Sequence, residues 1–309
     1  MRAFVVGGQG NAPRLQDFPE PQAQADAPLI DITAGGLGPT DLMRANGFFG
    51  AIAAPYVAGG EGVGRLAGGG RVYFGHALPP FGAWAERTVV PSAEVWSLPD
   101  DIDDAQAIAL GISGTGALLP LEEAGIRPGE RVLILGATGP VGQIALQLAR
   151  ALGAGLVVGA ARHRNALERL RTSGLADAIV QLGSGDDLQA LRAPAGPGYD
   201  VVLDVIYGPP AEAAMRATAP GARMMSIGIQ AGPTVTLSLR DLVFRSHIGV
   251  GTGQRPAAER RAAYKRLLAW ARRGKVKVEV ASYGLDQAAE AWQAQGASPH
   301  AKIIVTPRR

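Results

Sequence analysis

The sequence predicts an α/β protein in two parts, a doubly wound parallel sheet preceded by an irregular antiparallel β domain. Three observations predict it. The first hundred residues are rich in Gly and Pro and carry only short β-type runs. From about Leu121, continuous apolar strands alternate with helical patterns. Where the first of those strands meets its helix stands a glycine turn, "GATGPVG" (136–142).

The early strands are "AFVV", "LIDITA", "GRVYFG" and "AERTVV". The later part begins with "RVLIL" and a helix, then "GLVVGAA" before the helical "RNALERLRTSG". "AIVQL" follows, then "YDVVLDVI", "AEAAMRATAP" and "ARMMSIG". Arg260 to Lys277 is a basic helix whose Tyr264, Leu267, Leu268 and Ala271 share a face, so its bases should mostly meet solvent. A strand "KVKVEVAS", a short helix around Asp286 to Gln295 and a final strand "AKIIVTP" complete the chain.

With 309 residues and 47% hydrophobic composition, a substantial core is available and disorder is excluded. The absence of cysteine excludes disulfides, thiolate-bound zinc, iron–sulfur clusters and a cysteine nucleophile. The four histidines (76, 163, 247, 300) are scattered and do not rebuild a metal site. A net charge of +3 is small for this length, so no nucleic-acid partner is expected. The N-terminus is too weakly apolar for a secretory signal, giving a cytoplasmic expectation. Val132 to Ala149 is uncharged, but Gly139-Pro140, Gln143 and Gln147 divide it into strand, turn and helix, so no membrane association is expected.

In the turn, Ala137, Gly139 and Gly142 stand where G-x-G-x-x-G would, with Gly136 before them and Thr138 and Val141 between. Gly139 lets a backbone approach a pyrophosphate, Gly142 lets helix pack on strand, and Pro140 suits the first helical turn. The helix N-terminus then aims free N–H groups at phosphate. About twenty residues on, an acid would receive the ribose 2′-OH of NAD, whereas arginine matches a 2′-phosphate. Between Gly142 and Leu167 there is no acid, and "VVGAARHRN" offers Arg162, assisted by His163 and Arg164. NADP(H) is the expected cofactor.

The ordered set "GGLGPTDLMRANGFF", "APYVAGGEGVGRL", "GRVYFG", "GAWAERTVVPSAEVWSLPDDI", "GISGTGAL", "IRPGERVLILGATGPVGQIALQLARALGA", "YDVVLDVI", "ARMMSIG" and "AKIIVTP" resembles the medium-chain dehydrogenase/reductase superfamily, in its zinc-free quinone-oxidoreductase-like (zeta-crystallin-like) branch. The resemblance implies a GroES-like catalytic domain from residues 1–120 and 252–309, with a Rossmann NADP(H)-binding domain (121–251) inserted, nicotinamide in the cleft between them, and a homodimer. Zinc-dependent relatives carry their metal ligands where this chain has Gly38, Gly60 and Gly111, none of which can coordinate. Gly38-Pro39-Thr40-Asp41 also departs from the Asn-Pro-x-Asp of many relatives, and Leu182 stands where they often have Tyr.

Without a Lewis acid, quinones and α,β-unsaturated carbonyls are the expected substrates, since conjugation spreads developing charge. Candidate hydrogen-bond donors are Thr40, alternatively a helix-start residue, and Tyr56, alternatively a satisfied core tyrosine. Asp41 and Glu61 read better as structural than as acid–base groups. By resemblance, Thr115 and the segments Val205-Ile206, Ser226-Ile227-Gly228 and Gly249-Val250-Gly251 follow the cofactor. "GISGTG" misses the nucleophile elbow by one position, which disfavours a hydrolase. An enoyl- or imine-type reductase of a biosynthetic pathway and a non-catalytic NADPH-binding protein remain as alternatives.

Overall fold

The computed structural model describes residues 1–50 and 53–307. The chain divides into two compact units: Met1–Ile112 with Ala257–Arg272 and Val278–Arg309, and Ser113–Pro256 with Arg273–Lys277.

The first unit carries β1 (Arg2–Val6), β2 (Arg14–Asp17), β3 (Leu29–Leu37), α1 (Pro39–Ala45), β4 (Tyr56–Val57), β5 (Glu61–Leu66), β6 (Arg71–Gly75), β7 (Arg87–Val89), β8 (Val95–Ser97) and α2 (Asp104–Ala109). The second takes in α3 (Ile112–Ala124) from Ser113 onward and continues through β9 (Arg131–Leu135), α4 (Pro140–Ala151), β10 (Leu156–Ala161), α5 (Arg164–Thr172), β11 (Ala178–Gln181), α6 (Asp187–Ala195), β12 (Tyr199–Asp204), α7 (Gly208–Arg216), β13 (Thr218–Ser226), α8 (Leu239–Leu242) and β14 (Ser246–Gly249). The chain then returns to the first unit as α9 (Ala257–Arg272), β15 (Val280–Gly284), α10 (Ala288–Gly296) and β16 (Lys302–Thr306).

In the first unit β16 pairs antiparallel with β3, Ile303 facing Leu37, so the C-terminal strand completes a sheet begun by N-terminal ones. That sheet runs β15-β16-β3-β5-β6-β8, with β7 also on β3. A second sheet runs β2-β1-β4. Phe4, Ile30, Phe74, Trp84, Ile303 and Val305 fill the core.

The second unit holds the parallel sheet β11-β10-β9-β12-β13-β14, a doubly wound order that reverses between β9 and β12. Its strands are apolar almost throughout because helices cover both faces. Gly142 is required by packing: a Cβ there would overlap the Gly136 carbonyl oxygen. Pro140 opens α4 as expected. None of the described helices is long and apolar enough to cross a membrane.

One expectation needs correction, and another, that the bases of Arg260 to Lys277 mostly meet solvent, holds with one exception. "KVKVEVAS" is a strand only from Val280. Before that, glutamine side chains replace sheet neighbours: Gln147 exchanges hydrogen bonds with the Lys277 backbone (2.9 and 3.0 Å) and Gln106 with that of Val278 (2.8 and 3.1 Å). In α9, Arg260 is buried, forking onto Glu94 at 3.0 and 2.6 Å and lying over the Trp96 ring.

Candidate functional site

In the second unit, doubly wound topology gathers the loops that follow parallel strands at one edge of the sheet. The glycine turn follows β9, Arg162 follows β10, and Val205-Ile206 follow β12. Ile227-Gly228 follow β13, and Val250-Gly251 follow β14. A cavity of about 450 Å³ opens there, lined by Ser226, Ile227, Gly228, Gly249 and Val250 from the expected set. Tyr207, Ile229 and His247, which the sequence did not single out, also line it.

The turn itself is built as the sequence predicted. Gly139 caps α4 without a side chain, so nothing of its own fills the space over the helix N-terminus. Ala137 and Thr138 are buried, and Gln143 Nε2 donates to the Thr138 carbonyl at 2.9 Å, bracing the loop. Beyond β10, Arg162 is exposed and, among the described residues, makes no hydrogen bond or ion pair. Arg164 instead pairs with Glu168 at 3.4 Å. His163 caps α5, its Nδ1 accepting from the Ala166 N–H at 3.2 Å. Thr115 is buried inside α3.

A polar network lies under the cavity. Asp204 Oδ1 accepts from the backbone N–H groups of Ile206 (3.0 Å) and Tyr207 (2.8 Å), and Oδ2 accepts from the Ser226 hydroxyl at 2.8 Å. His247 Nε2 is 3.0 Å from the same hydroxyl. Burial pushes the Asp204 carboxyl above the usual range, with its three donors opposing that rise, and burial pushes the His247 imidazole down.

The first unit holds Thr40 and Tyr56. Thr40 is exposed within α1, whose N-cap is Gly38, so its hydroxyl is not the cap that the sequence allowed for. The Tyr56 hydroxyl is buried and has no partner among the described residues. Burial and the nearby Asp41 charge raise its pKa, so it is a phenol at neutral pH. Asp41 Oδ2 accepts from the Gly38 N–H at 2.9 Å, and burial, reinforced by Glu61, raises its carboxyl despite Lys302.

Glu61 is buried and hydrogen-bonded, by partners that were not legible in the sequence. Its Oε1 accepts from Lys302 Nζ at 2.6 Å. Its Oε2 accepts from the Tyr73 hydroxyl at 2.6 Å and the Ile112 N–H at 2.8 Å. The only sequence signal for Lys302 was a lysine heading an otherwise apolar strand.

This cluster decides whether zinc fits. A Cβ at Gly111 would overlap the Tyr73 hydroxyl and Glu61 Oε2, while Gly38 and Gly60 contribute no donor atom. Among the described residues, no group of three His, Cys, Asp or Glu could hold a metal ion. The residues present do not fit the metal.

A sequence profile described as zinc-binding dehydrogenase matches residues 140–271. The chain is 28% identical over 317 residues to a phenolphthiocerol/phthiocerol polyketide synthase of Mycobacterium tuberculosis; the match takes in 97% of this chain but spans only 14% of that protein. It is 31% identical over 227 residues to the synaptic vesicle membrane protein VAT-1 homolog of Mus musculus, 67% of this chain and 54% of that one. Among solved structures, the quinone oxidoreductase of Thermus thermophilus, known also in complex with NADPH, superposes with a TM-score of 0.82 at 29% identity, covering 99% of this chain and 100% of that one. The quinone oxidoreductase of Pseudomonas syringae pv. tomato gives 0.87 at 25% identity, covering 99% and 100%.

Proposed function

Because the chain belongs to the zinc-binding dehydrogenase family, the medium-chain dehydrogenase/reductases, and is built like its quinone oxidoreductases, we propose that it is an NADPH-dependent reductase of quinones or α,β-unsaturated carbonyls. The observation that carries this reading is an unengaged Arg162 beside a glycine turn, with no carboxylate from Gln143 to Leu167 to repel a 2′-phosphate. Gly139 and the α4 N-terminus would hold the pyrophosphate, and Arg162 the 2′-phosphate. Bound there, NADPH would supply hydride. Thr115, Val205-Ile206, Ser226-Ile227-Gly228 and Gly249-Val250-Gly251 would follow the rest of the cofactor.

With glycine at all three ligand positions, no metal polarises the substrate carbonyl, which favours acceptors that spread charge by conjugation. The Tyr56 hydroxyl is the best-placed donor, because it is buried without a partner. Thr40 is the second. A homodimer belongs to the same proposal: β14 is an edge strand, preceded in the chain by Leu239 and Phe244 with nearly four-fifths of each exposed.

The likeness to a polyketide synthase favours a second reading, reduction of an activated C=C in a biosynthetic intermediate. The test is NADPH consumption by the purified protein against a panel of small quinones and enones, with products identified by mass spectrometry. Turnover on either class supports the reductase and the product separates the two readings. Binding of NADPH without consumption across the panel points to a non-catalytic binding protein.

A further inference from the structure

Tyr207 sits in a backbone conformation that suits glycine. Its φ of 57° and ψ of −158° fall in a region essentially closed to side chains, and such strain persists where surrounding structure enforces it. Two contacts accompany it. The Tyr207 N–H donates to buried Asp204, and the Tyr207 ring lies 5.9 Å from that of His247, tilted by 34°. Both rings line the cavity.

The hydrogen bonds beneath set the tautomer of His247. With Asp204 ionised, the Ser226 hydroxyl gives its one proton to that carboxylate, and the 3.0 Å contact with His247 Nε2 then uses a hydrogen on the imidazole. In the neutral ring Nδ1 is then an acceptor, and among the described residues it has no partner. The cavity thus offers an aromatic wall and a hydrogen-bond acceptor. It lies on the β12–β14 side of the switch point, while Arg162 lies on the β10 side.

We propose that Tyr207 and His247 form a recognition wall for the nicotinamide end of the cofactor, the rings packing on it and His247 Nδ1 accepting from its carboxamide N–H. The inference rests on the NADP(H) reading and assigns these side chains to one half of the molecule. Strain at Tyr207 is retained because the ring is needed in the cavity.

The test compares Tyr207→Gly, Tyr207→Ala and His247→Phe with the wild type by thermal unfolding without ligand and by calorimetric titration with NADP⁺, with its nicotinic-acid analogue, which lacks the carboxamide N–H, and with adenosine 2′,5′-bisphosphate, which lacks the nicotinamide half. Tyr207→Gly should melt above Tyr207→Ala by about 2–4 °C or more, because only glycine relieves the backbone. Each variant should bind NADP⁺ about tenfold more weakly while holding the bisphosphate like the wild type. His247→Phe should also lose the preference for NADP⁺ over the acid analogue. Unchanged NADP⁺ affinity in all three variants, or equal losses for NADP⁺ and bisphosphate, overturns the proposal and leaves the cofactor reading standing. A wild type that binds neither ligand overturns both.

Discussion

Lys302 Nζ lies 2.6 Å from Glu61 Oε1, and both side chains are at least 96% buried. The pair joins β16 to β5 in the first unit, next to Gly38, Gly60 and Gly111. Removing one partner leaves the other charge buried without compensation. Lys302→Met is expected to destabilise the protein by about 3–5 kcal/mol, and Lys302→Met with Glu61→Gln to recover most of that, since the amide oxygen introduced can still accept from Tyr73. Denaturant unfolding of the three proteins measures it; a double variant no more stable than the single one contradicts it.

Zinc cannot be restored by ligands alone. The triple variant Gly38→Cys, Gly60→His, Gly111→Cys should yield a protein without stoichiometric zinc by elemental analysis, because the Tyr73 hydroxyl and Glu61 occupy the space that any side chain replacing Gly111 needs. Tight one-to-one zinc uptake would show that this space yields readily.

Tyr56→Phe is expected to lower kcat/KM by on the order of 10²-fold, the effect of deleting one donor to a developing oxyanion. Stability should hold or rise, since the deleted hydroxyl is buried and unpartnered. Full activity in Tyr56→Phe, set against a loss in Thr40→Val, would move the donor role to Thr40.

Acid sensitivity has an identifiable contributor in the second unit. Burial pushes Asp200 up, but hydrogen bonds from the Arg131 guanidinium and backbone outweigh it and hold its carboxyl below the usual 3.8. A carboxylate with a depressed folded-state pKa contributes stability above its unfolded pKa and loses it as pH falls through the folded one. Asp200→Asn should therefore be less stable than the wild type by about 1.5–3 kcal/mol at neutral pH. The difference should shrink below pH 3.8. A gap that stays constant down to acid unfolding would assign the effect to packing.

The second unit was legible because its signals are local: apolar strands, the glycine turn and the helical spacing after Gly142. Long-range partnerships were not. Lys302 meets Glu61 across 241 positions, and nothing near either residue announces the other. Gln106 and Gln147 replacing sheet neighbours along 277–278 likewise appears only in three dimensions. His247 was counted among four scattered histidines because Ser226 and Asp204 reach it through strand pairing, not sequence proximity.

Cofactor choice is tested most directly by calorimetric titration of wild type and Arg162→Ala with NADPH and NADH. The wild type should bind NADPH more tightly than NADH, and Arg162→Ala should weaken NADPH by about 1–3 kcal/mol while leaving NADH nearly unchanged. Equal losses for both nucleotides, or a wild type that prefers NADH, would contradict the assignment of Arg162 to the 2′-phosphate and the NADPH dependence built on it.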